Sequence, residues 1–214
     1  MSAEPPPDPA WSIVERWQEF AGETRANLLR ASGIAGFYLI ELVNYHGLRL
    51  GPLQLAPVAG VDRGFHSLVT ALAVAWVVAG CGVLILLRRR LFSPMLKYLS
   101  TGLDLCFLTA VLAVADGPAS PLAVAYFLVP PLAALRFSLP LVRFAAGGAM
   151  AGYLVLLGQA RWLRPEMRVP PYQQLIFLLA LGLTGVLLGQ MVRRAREAAQ
   201  DYAARLAQAR ERSA

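Results

Sequence analysis

The chain has 214 residues, of which 57% are hydrophobic and only 15% charged, and its mean hydropathy is +0.53. Soluble domains carry roughly 45–50% apolar and about 25% charged residues, so this composition excludes a water-soluble domain and makes lipid the solvent. The formal charge of +7 and the pI near 10.0 do not point to nucleic acid, because the basic residues sit in short clusters between long apolar runs and form no stripe interleaved with aromatics.

Residues 1–29 read as a cytoplasmic leader followed by an amphipathic helix. The opening MSAEPPPDPA is acidic and proline-rich, unlike a signal peptide. Over residues 10–30, Trp11, Val14, Trp17, Ala21 and Leu28 recur at helical spacing, while Glu15, Glu19 and Glu23 line another face. Its mixed charge fits docking on the protein's own cytoplasmic side as well as it fits a lipid surface.

A helix that crosses a bilayer needs about 20 mostly apolar residues. Six segments qualify, at 30–48, 66–87, 97–115, 119–136, 141–161 and 172–192, so residues 30–192 are expected to form an all-α, six-helix transmembrane bundle. The first span carries Glu41 and closes on Asn44, Tyr45 and His46; the second opens at His66; the third carries Asp104. The fourth is short and holds Pro130 and Pro131, which predicts a kinked or tilted span. The fifth and sixth carry G-x-x-x-G at Gly148/Gly152 and Gly185/Gly189, small strips suited to helix packing inside one bundle or to a dimer contact.

Residues 193–214 contain neither Gly nor Pro and are expected to prolong the last span as a cytoplasmic signalling or coiled-coil helix. Met191, Ala195, Ala198, Tyr202, Leu206 and Ala209 repeat in a near-heptad pattern of the kind that pairs two parallel helices. With the N-terminus inside, fifteen of the twenty Lys and Arg residues fall on the inner side. That bias predicts a multi-pass inner-membrane protein with both termini in the cytoplasm.

Charges at mid-membrane depth cost several kcal/mol, so Glu41 and Asp104 each require an account. One is a ligand- or ion-responsive site formed with the two histidines, His46 and His66, which are expected at similar depth. The other is a neutralised or hydrogen-bonded carboxyl that fixes packing, Asp104 with Ser100, Thr109 or Gln190 as partners. Glu41, His46 and His66 are also a weak candidate metal set. Cys81 and Cys106 lie inside apolar runs and act there as small hydrophobes. No metalloprotease, serine-hydrolase or P-loop motif occurs, so the chain is not expected to be an enzyme by itself. The sequence assigns no cofactor.

The stretch from Lys97 to Leu157 resembles the six-span membrane input domains of bacterial signalling proteins, the membrane-bound class III adenylate cyclases and related sensor histidine kinases. The resemblance rests on Asp104, the Gly117-Pro118-Ala119-Ser120-Pro121-Leu122 turn, Tyr126-Phe127, Leu135-Arg136-Phe137 and Tyr153. It implies a dimerising bundle whose last helix carries a signal to a catalytic domain. The chain departs from the pattern in that no cyclase, kinase, PAS or HAMP sequence follows Ala214. The expectation is therefore a non-catalytic sensory or regulatory membrane domain, either the input half of a longer protein or a stand-alone relative acting on a partner. Its expected partners are membrane lipid, a second copy and a cytoplasmic signalling protein or fused output domain. The rival readings are a small transporter or the membrane subunit of one, and a passive membrane anchor or assembly factor.

Overall fold

The structure is a computed structural model that describes residues 9–50, 53–55, 63–89 and 94–213. Helix α1 (Pro9–His46) is one unbroken run of 38 residues, so the expected amphipathic helix and first span are a single element. Its apolar stretch is Thr24–Val43 rather than 30–48, which moves Arg30 from the flank to inside the span. Most side chains of the expected amphipathic face, and all of residues 1–8, lie outside the described residues. The helix stops at Gly47, which adopts a left-handed φ of 72° and donates its N–H to the Val43 carbonyl at 2.7 Å. A glycine meets that conformation without a Cβ penalty.

Beyond the glycine, β1 (Leu48–Leu50) pairs antiparallel with β2 (Leu53–Leu55), Leu48 opposite Leu55. This small hairpin is the one departure from the all-α expectation among the described residues. Helices α2 (Arg63–Arg88) and α3 (Pro94–Val114) follow.

The expected fourth span is not one helix. It is a 3-10 turn (Gly117–Ala119), an eight-residue 3-10 helix (Pro121–Leu128) and a short α4 (Val129–Ala134). Four prolines, Pro118, Pro121, Pro130 and Pro131, withhold backbone donors along it, which prevents a continuous α-helical ladder. The steeper rise of a 3-10 helix compensates in part: laid end to end, Pro121–Ala134 covers about 25 Å, against about 21 Å for the same residues in an α-helix. Tyr126 is fully buried, as are Ala123, Ala125, Val129 and Ala133 nearly so. The broken backbone thus runs through the centre of the bundle, where neighbouring helices cover it as an apolar solvent requires.

The chain then reverses at Phe137, whose φ of 49° is left-handed, and enters α5 (Leu139–Trp162). Helix α6 (Pro171–Ser213) is continuous over 43 residues, about 64 Å and twice the thickness of a hydrocarbon core. Among the described residues, five helices are therefore long and apolar enough to span a membrane, with Pro121–Ala134 as a shorter apolar piece. This is a helical bundle with the composition of a multi-pass membrane protein.

Packing runs α1 on α2, α2 on α3, α3 on α5 and α5 on α6, with the 117–134 segment wedged among them. The core is formed by Leu105, Leu108 and Leu112 of α3, Tyr126, and Leu141, Ala145, Ala149, Tyr153 and Leu156 of α5. The small strips of the last two long helices have specific neighbours. A Cβ at Gly148 would strike Leu105, one at Gly152 would meet Thr109 and Tyr126, one at Gly185 would lie 2.5 Å from the Ala146 methyl, and one at Gly189 would lie 3.2 Å from Leu139. All four glycines are thus used in packing within one chain, and the G-x-x-x-G face of α6 is occupied by α5.

Candidate functional site

Two polar clusters tie α1 to the rest of the bundle. In the inner one, Arg30 Nε lies 2.7 Å from Asp104 Oδ1, with side-chain exposures of 5% and 7%. Arg30 also donates from Nη1 to Asn27 Oδ1 at 2.7 Å and from Nη2 to Ser100 Oγ at 3.0 Å. The indole Nε1 of Trp76 on α2 donates to the same Asp104 oxygen at 2.8 Å. Ser100 Oγ additionally accepts from Arg136 Nη2 at 2.8 Å, and Arg136 Nη1 donates to Thr101 Oγ1 at 2.7 Å and to the Lys97 carbonyl at 3.1 Å.

A buried charge without a partner is strongly unfavourable, and this network supplies the partners from four places in the chain: α1, α2, α3 and the turn ahead of α5. Replacing Trp76 with Phe keeps an aromatic ring facing Phe107, which the indole stacks on at 5.9 Å, and removes the donor to Asp104 together with part of the indole's bulk. The expected result is a loss of about 1.5–3 kcal/mol in detergent-micelle unfolding, the value of a hydrogen bond to a charged group.

The outer cluster lies eleven residues further along α1, about 16 Å along its axis. Glu41 Oε1 meets His66 Nδ1 at 2.9 Å. The Tyr45 ring stacks flat on His66, centroids 4.1 Å apart and planes 2° from parallel, and His46 sets its edge against Tyr45 at 4.7 Å. Thr70 donates to the His66 carbonyl at 2.7 Å and contacts the Tyr38 hydroxyl at 3.1 Å. Each acid–base pair therefore bridges α1 to a different neighbour, α2 through Glu41–His66 and α3 through Arg30–Asp104.

Of the expected site residues, Glu41, His46 and His66 come together, while Asp104 belongs to the inner cluster. The partners of Asp104 are Arg30 and Trp76 rather than Thr109 or Gln190: Thr109 bonds Tyr126, and Gln190 is exposed. Ser100 does join the network, through the two arginines. The three-ligand metal set does not form. Glu41 and His66 bond each other, the His46 and His66 centroids are 6.2 Å apart with planes at 74°, and no group of three or more His, Cys, Asp or Glu residues among the described ones has an arrangement that could hold a metal ion.

Arg30 and Arg136 count among the inner-side charges in the sequence, and Trp76 attracts no notice there. The available signal was an acid at depth in α3, which demands a buried base, and Arg30 stands in an apolar run six residues inside the Thr24–Val43 stretch.

Between the clusters lies a cavity of about 470 Å³, bounded by α1, α2, α3 and the 117–134 segment. Arg30, Trp76 and Asp104 line one part of it, Glu41 another, and most of the remaining wall is apolar, including Phe37 and Leu108. That volume falls within the roughly 300–1,000 Å³ of small-molecule sites.

Comparison with protein families, with curated proteins and with solved structures gives no match for this chain.

Proposed function

We propose that this protein is a sensory or regulatory domain of a bacterial inner membrane, with both termini cytoplasmic, which pairs with a second copy along α6 and signals through that helix. The output is a cytoplasmic partner or a fused domain, and the bundle itself performs no chemistry.

The observation that carries this reading is the outer face of α6. Tyr172, Ile176, Leu179, Leu183, Leu187 and Met191 form one exposed stripe, and the seam positions Ala195, Ala198 and Tyr202 continue it without interruption along the polar tail. Apolar side chains facing lipid need no further cover, whereas an Ala–Ala–Tyr seam on an otherwise charged helix suits a parallel partner. The side chains of Leu206 and Ala209 lie outside the described residues.

A route from the polar clusters to α6 supports the same reading. Arg30 and Arg136 share Ser100, Arg136 belongs to the turn that opens α5, and α5 packs on α6 with Leu139 against Gly189. A displacement of α1 would then tilt the helix that carries the output, provided that the two arrangements differ in ligand affinity.

Single cysteines test the reading in native vesicles, after Cys81 and Cys106 have been replaced by alanine. Mild oxidation is expected to cross-link Ala198→Cys and Tyr202→Cys into dimers, and to leave Gln200→Cys, on the opposite face, monomeric. All three should react with a membrane-impermeant thiol reagent only after the cells are opened. Equal cross-linking at all three positions, or a monomer throughout, would overturn the proposal.

A further inference from the structure

We infer that the cavity beside α1 binds a lipophilic molecule with a single hydrogen-bond-donating head, an amine or an alcohol, whose head is held by Glu41. This deepens the sensory reading and rests on it for the ligand's meaning as a signal; binding itself is tested apart from any output.

The chemistry follows from which polar atoms around the cavity are already engaged. Arg30 donates from Nη1 and Nη2 to Asn27 and Ser100, its Nε, which makes no hydrogen bond, is held in the ion pair 2.7 Å from Asp104 Oδ1, and the one N–H of Trp76 goes to Asp104. Thr70 gives its proton to the His66 carbonyl, so the Tyr38 hydroxyl must be the donor in its contact with Thr70 and has none to offer the cavity. Asp104 already receives Arg30 and Trp76 on one oxygen. Glu41 is different. Its Oε1 is bonded to His66, but its Oε2 is buried and has no hydrogen-bond partner among the described residues.

A buried carboxylate oxygen left without a partner is unfavourable, and a ligand that brings an N–H or O–H satisfies it. Arg30 and Asp104 neutralise each other at the other end, so that end offers no second charge for a zwitterion or an anion. Apart from the exposed Asp116 and from Ser120, whose Oγ accepts from the Leu122 N–H, the rest of the wall is mainly apolar and extends along α1 for about three turns, which suits an alkyl chain or a slender ring system. An anionic amphiphile such as a fatty acid would set its carboxylate against Glu41, and its exclusion is part of the inference.

The test uses the full chain in lipid nanodiscs and a decylamine carrying a diazirine on its alkyl chain. Photolabelling is expected to saturate and to map to α1 around Phe37, α3 around Leu108 and the segment near Leu122. Unlabelled decylamine should compete. Decanol competing equally identifies a neutral donor head, and decylamine alone identifies a cationic one. Methyl decyl ether, which has no donor, and decanoate should compete poorly.

Replacing Glu41 with Leu should weaken labelling about tenfold or more, as loss of one hydrogen bond to a charged group implies. Because that change also removes the His66 contact, Val111→Phe provides an independent variant that fills the cavity and leaves Glu41 in place; it too should abolish saturable labelling. Unsaturable labelling of lipid-facing residues such as Leu183 and Val186, equal competition by the ether, or unchanged labelling in both variants would overturn the inference. Cysteine cross-linking of α6 in the same nanodiscs separates the two ideas. Cross-links without labelling leave the paired sensory domain standing and remove the ligand class, whereas labelling without cross-links does the reverse.

Discussion

Replacing Asp104 with leucine is expected to destabilise the bundle by about 3–5 kcal/mol, because the change leaves Arg30 buried without its counter-charge. Asp104 is the acceptor for both Arg30 and Trp76, so its loss orphans a guanidinium and an indole N–H together. Asparagine at this position retains an acceptor but not the charge, and its effect should fall between those of leucine and the native residue. The informative variant is the double replacement Arg30→Met with Asp104→Leu. A buried ion pair exchanged for apolar side chains of similar volume is often neutral or stabilising, so the double variant should recover most of the single variant's loss. Unfolding followed by helical circular dichroism in micelles measures all four members of this cycle. Additive losses in the double variant would mean that the two residues act separately and that the ion pair is not what holds α1 to α3.

The second large effect is expected at Gly152. A Cβ there would stand 2.7 Å from Thr109 Oγ1 and 2.8 Å from the Tyr126 hydroxyl, closer than real methyl contacts come. Those two oxygens are themselves bonded at 2.7 Å, and since Thr109 gives its proton to the Leu105 carbonyl, Tyr126 is the donor between them. Gly152→Val therefore overfills the core and separates a fully buried phenol from its acceptor. Overpacking costs roughly 1–3 kcal/mol and an unsatisfied buried polar group about as much, so a net loss of about 2–6 kcal/mol is expected by the same unfolding measurement. Gly147, five positions before it, has nothing within 4 Å of an added Cβ. Gly147→Ala on that open face should be neutral or stabilising by up to about 1 kcal/mol, through helix propensity alone. A similar loss in both variants would show that helix flexibility, and not contact with Thr109 and Tyr126, governs the site.

Much of the architecture was readable locally. Runs of apolar residues mark α2, α3, α5 and α6 close to their observed positions, because burial in lipid depends on each segment's own composition. The continuation of α6 through the tail followed from the absence of Gly and Pro after residue 189. That His46 and His66, with Glu41 about one and a half turns below, could approach one another was an expectation from counting turns; in the structure Glu41 bonds His66, and Tyr45 stacks on His66 with His46 at its edge. The fourth segment was harder: its prolines announced a break, but nothing in them told that the broken piece fills the centre of the core instead of lying at its edge.

What the sequence determined by itself is the solvent and the helices: hydropathy is a property of each residue, and it sums along the chain without reference to any other segment. What only the tertiary structure decided is who meets whom. Asp104 finds Arg30 across 73 intervening positions rather than Thr109 on its own helix, Gly185 and Gly189 face α5, and α1 begins its apolar stretch early enough to carry Arg30 into the bundle. Helical periodicity states which face of each helix is apolar or small, yet the long apolar stretch of each helix shows little such contrast between its faces. Pairing is then set by the fit of particular side chains and by the strong demand of a buried charge for its opposite, and both exist only once the helices are side by side.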